Sequence, residues 1–307
     1  MEKMIIKRDG TVEPFNPEKI FKSIKKAFIS TARTVKDEEI QDLVSKILDI
    51  ISKDTLSVEE VQDLVEQTLM NDKYFDVARH YILYREVRNK KRQYRNEINN
   101  IVPSFDLNKV LKDIQRDFTD DCYDLSKLLS KYKSFKIFQM DEVEKLHTLI
   151  RASIELINVD EPYWDLISGR LFMYNFNLEV KENLKTHNLT SFQDRLNLYV
   201  KRFGYDNDLL KYSEEELKIL EKYINKNRDK LLTYSQIKIF LQDYLARLKD
   251  FDFIETIQEF YMIISMIKNK NSASKLEDSK RYYDSLSKQE INLTNSDLFL
   301  ILKSLAL

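Results

Sequence analysis

The chain opens with two short extended runs separated by a turn. "IIKR" and "TVEPF" flank Asp9-Gly10, a dipeptide that supplies positive φ for a two-residue hairpin turn. Asn16 then caps a helix with Pro17 at its first position, where the missing N–H costs nothing. The helix continues as "EKIFKSIKKAF", with its apolar residues on one face. The pattern predicts a β-hairpin over residues 4–15, followed by a helix.

Three further helical patterns follow this first helix. They are "DEEIQDLVSKILDII", "SVEEVQDLVEQTLM" and a segment from about Tyr74 through "FDVARHYILYREVRNKKRQYR". Ser57 and Glu60 open the second of these with the spacing of a capping box. "NNIVPSFD" is typical of a linker. We therefore predict a first domain of one hairpin and four helices over residues 1–97.

The rest of the chain is also helical in pattern, and we predict two further domains, 103–188 and 190–307. "LIRASIELINVDEPYWDLISGRLFMY" echoes "LVEQTLMNDKYFDVARHYILY", with an aromatic pair before an aspartate in each. This indicates either a degenerate internal repeat or two unrelated helical hairpins. In the last region a polar stretch around Ser272 predicts a loop, and the apolar end "LFLILKSLAL" is either a packed terminal helix or an interface for another chain.

Composition fits a mainly α, soluble protein. The 307 residues include only 3 Gly and 4 Pro, with 33% charged and 43% hydrophobic residues. The net charge of -1 gives no general attraction to nucleic acid or to a membrane. The single cysteine, Cys122, excludes a disulfide framework and a Cys-rich zinc site, and we expect a half-buried helical thiol. No apolar segment predicts a signal peptide or membrane helix, and the three histidines lack metal-ligand spacing, so we expect a cytoplasmic protein without a metal site.

The hairpin concentrates groups that suit a polyphosphate. Lys7 and Arg8 lie beside a helix N-terminus, which itself favours anions, and Lys19 can reach back to the same place. Glu13 and Asn16 are nearby polar groups that could contact a ribose or a base edge. The alternative is a solvated, charged hairpin in front of a capped helix.

"KRDGTVEPFNPEKI" resembles the opening of an ATP cone, the regulatory nucleotide-binding domain at the front of ribonucleotide reductase large subunits. "VEEVQDLVEQTLM" and "YFDVARHYILYREVR" resemble the rest of that domain, so the resemblance covers about residues 3 to 90. Val58 stands where the family sometimes has a threonine. The resemblance implies a nucleotide site formed by Lys7, Arg8, Glu13, Asn16, Lys19, Ile20, Gln62 and, on the closing helix, Arg85 or Arg88.

The resemblance continues beyond the cone. "YDNDLLKYSEEELKILEKYINKNRDKLLTYSQIKIFLQDYLAR" and "RYYDSLSKQEINL" are similar to the helical N-terminal region of the class I α subunit. The resemblance implies ATP or dATP, with Mg, as allosteric effector, and an effector-dependent oligomer. It also implies the catalytic part of the large subunit and the small radical subunit as partners.

The chain departs from the family where the catalytic barrel should follow. We therefore predict no catalytic residue in it, and we expect it not to reduce ribonucleotides without a barrel, supplied in trans if the gene is split. A split fragment, a shortened chain and an interrupted gene stay open. The region 103–188 lacks a basic hairpin, so we predict that it binds no nucleotide.

Two alternatives belong to other functional classes. One is a stand-alone regulatory or interaction protein with a borrowed or relic cone, although the zinc-ribbon repressors that carry a cone need Cys-x-x-Cys motifs that this sequence lacks. The other is a helical scaffold that uses the basic run at residues 88–95 for nucleic acid, which the net charge does not favour.

Overall fold

The computed structural model describes residues 3–135, 139–249 and 251–293. It confirms a mainly helical protein with one small sheet, and the chain divides into two compact units, Met1–Gln93 and Tyr94–Leu307. The α-helices are α1 (Pro17–Ser30), α2 (Asp37–Ile50), α3 (Val58–Asn71), α4 (Phe75–Ile101), α5 (Asn108–Asp117), α6 (Leu125–Ser134), α7 (Glu142–Ile154), α8 (Trp164–Thr186), α9 (Phe192–Phe203), α10 (Glu214–Tyr223), α11 (Tyr234–Asp243), α12 (Ile257–Asn269) and α13 (Lys275–Ser287). Short 3-10 helices cover Asp121–Tyr123, Asn207–Lys211 and Lys226–Leu231.

The sheet of the first unit has three short strands in the order β2-β1-β3. β1 (Met4–Ile6) pairs with β2 (Val12–Pro14) in the antiparallel sense and with β3 (Thr55–Ser57) in the parallel sense. The hairpin is as predicted, whereas β3 was not predicted. Three residues without alternation carry no strand pattern of their own, and β3 exists because β1 offers it hydrogen bonds.

The predicted two-residue turn is wrong. Lys7 N donates to Thr11 O at 2.8 Å and Gly10 N donates to Lys7 O at 2.9 Å, so the loop is Arg8-Asp9-Gly10. Gly10 alone in this loop has positive φ, at 82°. This is a three-residue hairpin loop with glycine at the left-handed position. The Asp9-Gly10 dipeptide by itself fits both this loop and a two-residue turn, so it could not decide between them.

The predicted helix caps of the first unit are confirmed. The side chain of Asn16 accepts from Glu18 N at the start of α1, with Pro17 at the first helical position. Ser57 and Glu60 form a capping box at the start of α3. Each cap fixes the point where a helix begins, and α1 and β2 thereby become neighbours at the hairpin.

The fourth helix runs beyond its predicted end near residue 95. α4 continues to Ile101, and Ile98 and Val102 are fully buried in a core of the second unit. The first part of the predicted linker is therefore helix and core. Sequence reasoning stopped the helix at the end of its basic stretch, because two apolar residues beyond it were too few to indicate a new buried face.

In the second unit, α8 contributes to two apolar cores. Trp164, Ile167 and Leu171 pack with residues of α5, α6 and α7, while Phe176 and Val180 pack with the helices that follow α8. One helix thus joins the two cores of this unit.

A glycine allows this helix to approach its neighbour closely. A Cβ atom at Gly169 would lie 2.3 Å from the carbonyl oxygen of Leu232, so α8 can touch the backbone there only through glycine.

The structure also bears on the predictions for Cys122, for the loop around Ser272 and for membrane helices. Cys122 is half-buried in the first 3-10 helix, and residues 270–274 form the predicted loop before α13. Among the described residues no helix has both the length and the apolar character that a membrane crossing requires. The division into three domains and the internal repeat stay predictions, and the apolar end of the chain lies outside the described residues.

Candidate functional site

The site begins at the hairpin, where one carboxylate holds two lysines. Lys7 Nζ lies 2.6 Å from Glu13 Oε2, and Lys19 Nζ lies 2.7 Å from Glu13 Oε1. The hydrogen bonds from Lys19 and Lys7 lower the pKa of Glu13, and the bond to Glu13 raises the pKa of Lys7. Glu13 and Lys7 are therefore charged at neutral pH, and they meet Lys19 at the N-terminus of α1.

The tip of the hairpin reaches α3 through Arg8. Its Nε lies 2.5 Å from Glu59 Oε1, and its Nη2 donates to Gln62 Oε1 at 3.1 Å. Gln62 was placed in the site by resemblance, and the structure brings it beside the hairpin. The parallel pairing of β1 with β3, directly before α3, explains this approach.

The two arginines left as alternatives on α4 have different surroundings. Arg85 Nη1 contacts Asp63 at 2.6 Å and Glu66 at 2.8 Å, and these two carboxylates raise its pKa against the opposing effect of burial. Arg88 lies over the ring of Tyr84 at 5.6 Å, and within the described part of the chain it forms no ion pair. Arg88 is thus the cation with fewer competing partners.

An apolar cavity of about 260 Å³ lies between the sheet, α1, α3 and α4. Its lining combines aliphatic and aromatic side chains with the polar hairpin groups. The residues are Ile5, Lys7, Glu13, Phe15, Asn16, Lys19, Ile20, Ser23, Val58, Val61, Gln62, Val65 and Tyr81.

A second cavity of about 360 Å³ adjoins the first, since five residues line both. Seven cationic side chains line it, and no carboxylate does. Its lining residues are Arg8, Lys19, Lys22, Ser23, Lys26, Val58, Gln62, Tyr81, Tyr84, Arg85, Arg88 and Arg92. The first unit therefore offers an apolar cavity and a cationic cavity side by side.

Every residue that the resemblance assigned to the site lines one of these two cavities. Sequence reasoning missed Tyr81 and Ser23 and the cations Lys22, Lys26 and Arg92. Their spacing could have identified them, because residues 19, 22, 23 and 26 share one face of α1, and residues 81, 85, 88 and 92 share one face of α4.

Within the ranges that the structure describes, no group of three or more His, Cys, Asp or Glu side chains could hold a metal ion. The basic run at residues 88–95 contributes Arg88 and Arg92 to the cationic cavity. Two members of this run thus face the predicted site.

Two protein families match parts of the chain. Residues 3–90 match the ATP cone domain, and residues 230–295 match the all-alpha domain of ribonucleotide reductase.

Individual relatives extend this similarity. The ribonucleoside-diphosphate reductase subunit alpha of Treponema pallidum is 32% identical over 305 residues, covering 96% of this chain and 36% of that protein. The subunit alpha of Chlamydia pneumoniae is 27% identical, covering 85% of this chain and 28% of that protein. The vitamin B12-dependent ribonucleoside-diphosphate reductase of Thermoplasma acidophilum is 46% identical over 101 residues, covering 30% of this chain and 13% of that protein. The chain thus spans about a third of the length of the first two relatives.

Proposed function

We propose that the first unit binds ATP or dATP as an allosteric effector, because residues 3–90 match the ATP cone domain and residues 230–295 match the all-alpha domain of ribonucleotide reductase. The observation that supports the proposal is the pairing of an apolar cavity with a cationic one around the hairpin. The apolar cavity suits a purine ring, and the cationic cavity suits the phosphates.

In this proposal each group of the hairpin has a distinct role. Arg8 and Lys19 line the cationic cavity and bind phosphate oxygens, and Lys7 reaches them from the adjoining apolar cavity, at the positive end of the α1 dipole. The Glu13 carboxylate accepts hydrogen bonds and the Asn16 side-chain amide donates them, at the ribose or at the base edge. Ile20 and Tyr81 line the apolar cavity and contact the base.

Mg²⁺ enters with the nucleotide. Mg²⁺ in such complexes is held mainly by phosphate oxygens and water, so the protein needs no carboxylate cluster of its own. The cationic cavity neutralises the remaining phosphate charge.

Discrimination between ATP and dATP is modest at the site itself, because a single 2′-hydroxyl distinguishes them. A lost or gained hydrogen bond of this kind is worth about 1–3 kcal/mol. The regulatory effect requires that the two nucleotides favour different oligomeric states, and that coupling needs the catalytic part of the large subunit. The small radical subunit completes the enzyme, which makes deoxyribonucleotides for DNA replication.

Calorimetric titration of the chain with dATP and with ATP, both in Mg²⁺, tests the proposal. Micromolar or tighter binding of one nucleotide per chain is expected. Lys7→Ala/Arg8→Ala should weaken it by a factor of about 100 or more, because two charge-assisted contacts are lost. Lys36→Ala/Lys46→Ala removes two cations from the same unit away from both cavities and should leave the affinity unchanged.

Two results would contradict the proposal. One is the absence of nucleotide binding by a folded chain. The other is equal binding by the hairpin variant and the wild type, which would place the nucleotide elsewhere. Analytical ultracentrifugation of this chain with its catalytic part, with ATP or with dATP, tests the proposed change of oligomeric state.

A further inference from the structure

The two cavities of the first unit meet at a neck, which we define as the five residues that line both of them. They are Lys19, Ser23, Val58, Gln62 and Tyr81. Three of the five are uncharged polar side chains, and none is a carboxylate. The lining therefore changes from apolar, through uncharged polar, to cationic along one cleft between α1, α3 and α4.

This order of surfaces matches the order of chemical groups in a nucleoside triphosphate. The base has apolar faces, the phosphates are anionic, and the sugar between them carries hydroxyl groups. We propose that the sugar lies at the neck and that Ser23 and Tyr81 bind its hydroxyl groups. The inference rests on the proposed function of the first unit. It leaves Glu13 and Asn16 to bind the base edge, since both line the apolar cavity and not the cationic one.

The wall of the neck on α3 is poorly suited to a sugar hydroxyl that donates a hydrogen bond. Val58 has no polar side-chain atom, and Gln62 Oε1 accepts from Arg8 Nη2 at 3.1 Å. A guanidinium group has only donors, so the side-chain oxygen of Gln62 must face Arg8 and its amide nitrogen can only donate to a ligand. Lys19, on α1, also has donors only. The remaining side-chain acceptors at the neck are the two hydroxyl oxygens, on α1 and α4.

Ser23 lies one helical turn after Lys19 on the same face of α1. Its Oγ donates to Ile20 O at 2.8 Å, so its hydrogen atom is already used within the helix. A hydroxyl oxygen has two lone pairs, and in Ser23 these remain for hydrogen bonds that the oxygen accepts. Ser23 is half-buried and lines both cavities, so this oxygen suits a sugar hydroxyl that donates.

Tyr81 faces the neck from α4. It is 7% exposed and lines both cavities, so the surface that stays accessible faces them. Burial raises the pKa of Tyr81 and a hydrogen bond with Ser23 opposes this shift, so the phenol keeps its proton at neutral pH. A phenol both donates and accepts hydrogen bonds, as a sugar hydroxyl does. The ring can therefore pack on the base while its hydroxyl group binds the sugar.

Calorimetric titration with ATP, dATP and 2′,3′-dideoxy-ATP, each in Mg²⁺, tests the inference on the wild-type chain and on Tyr81→Phe. The substitution removes one hydroxyl group and keeps the ring. It should weaken ATP binding about three- to tenfold, because one neutral hydrogen bond is lost, and leave the affinity for dideoxy-ATP unchanged. Ser23→Ala should give the same pattern. The result with dATP identifies the hydroxyl group: a loss equal to that of ATP assigns the 3′-hydroxyl, and no loss assigns the 2′-hydroxyl.

Tyr84→Phe is the matched control on the same helix. Tyr84 lines the cationic cavity and not the apolar one, so it lies outside the neck. Loss of its hydroxyl group should change the affinities for ATP and dideoxy-ATP by the same factor or not at all. Thermal unfolding, followed by circular dichroism, verifies that each variant is folded.

Two results would overturn this inference and leave the proposed function standing. Equal losses of affinity for ATP and dideoxy-ATP in Tyr81→Phe would show a general effect on the cavities and no contact with the sugar. Unchanged affinity for ATP in both Tyr81→Phe and Ser23→Ala would place the sugar away from the neck. A folded wild-type chain that binds none of the three nucleotides would instead contradict the proposed function, and the inference with it.

Discussion

Charged side chains serve different purposes in the two units. In the first unit, the cations around the hairpin are largely exposed and meet carboxylates at the surface, as Lys7 and Lys19 do with Glu13. In the second unit, Arg195 is 6% exposed at its side chain and pairs with Glu259 at 2.8 Å. Exposed pairs can exchange a partner for a ligand at little cost, whereas a buried pair cannot lose one member without leaving a buried charge.

The buried network is also more completely bonded. Arg195 donates to Glu221 Oε1 at 2.9 Å and to the carbonyl oxygens of Leu189 and Thr190. Its five-donor guanidinium therefore ties the start of α9 to α10 and α12. We conclude that this network stabilises the fold and that the exposed cations of the first unit remain available for binding.

The largest effect is expected from a substitution that breaks the buried network around Arg195. Arg195→Ala should lower the free energy of unfolding by about 3–5 kcal/mol, because Glu259 stays buried without its cation. Arg202→Ala on the same helix is the control. Arg202 is exposed, its Nη2 makes a long contact, 3.4 Å, to Leu248 O, and its guanidinium lies 5.8 Å from the centre of the Phe203 ring, so its loss should change stability by at most about 1 kcal/mol. Urea denaturation measures the free energy of unfolding of both variants. Equal losses would show that the Arg195–Glu259 pair contributes no more to stability than an exposed arginine does.

A second prediction concerns pH. Burial raises the pKa of Glu255 from its ordinary value of 4.5 to about 8, and its Oε2 accepts from Tyr205 Oη at 2.7 Å and Ala246 N at 2.9 Å. As pH rises from about 4.5 to 8, the unfolded carboxyl loses its proton first. This group therefore lowers stability by about 1.4 kcal/mol per pH unit in that window.

Glu255→Gln cannot ionise, so it should match the wild type near pH 5 and exceed it in stability at pH 8. Thermal or urea unfolding across this range measures the difference. The exposed Glu214→Gln on α10 is the control and should show no such divergence, since its pKa is lowered by Lys218 instead. Parallel curves for Glu255→Gln and wild type would contradict the prediction.

A third prediction distinguishes the roles of Arg85 and Arg88 on α4. Arg88→Ala should weaken dATP binding about tenfold with little change in stability, because one available cation is lost. Arg85→Ala should lower stability by up to about 1 kcal/mol, because Asp63 and Glu66 lose their shared partner. Calorimetry measures dATP binding and urea denaturation measures stability for both variants. Unchanged dATP affinity in Arg88→Ala would show that Arg88 does not contact the nucleotide.

The smallest expected effect concerns the competition between Glu59 and the nucleotide for Arg8. Glu59 pairs with Arg8, so Glu59→Ala should free that guanidinium and tighten dATP binding by about two- to fivefold. Glu38→Ala removes an exposed carboxylate from α2 and should leave the affinity unchanged. Weaker binding by Glu59→Ala would show that the carboxylate positions Arg8 for the ligand.

Much of the first unit could be predicted because its determinants are local. The hairpin, the caps at Asn16 and Ser57 and the amphipathic faces depend on residues a few positions apart. The length of the hairpin loop could not be predicted, since Asp9-Gly10 fits both a two-residue and a three-residue turn. The additional cations on α1 and α4 could have been predicted, because helical periodicity places them on the same faces as Lys19, Arg85 and Arg88.

The second unit was predicted only as a succession of helices. Nothing local indicates that α8 serves two cores or that Gly169 lets it touch the backbone at Leu232. The pairing of Arg195 with Glu259 spans 64 residues, and no spacing rule connects them.

The sequence by itself determined the helical class, the hairpin with its cations and the similarity to the ATP cone, because these depend on neighbouring residues and helical periodicity. Only the tertiary structure decided that β3 completes the sheet, that α4 continues into the second unit, and which charges are buried in partnership and which remain exposed. Such features arise from contacts between distant segments, where burial and hydrogen bonding select one arrangement among many that the local pattern permits.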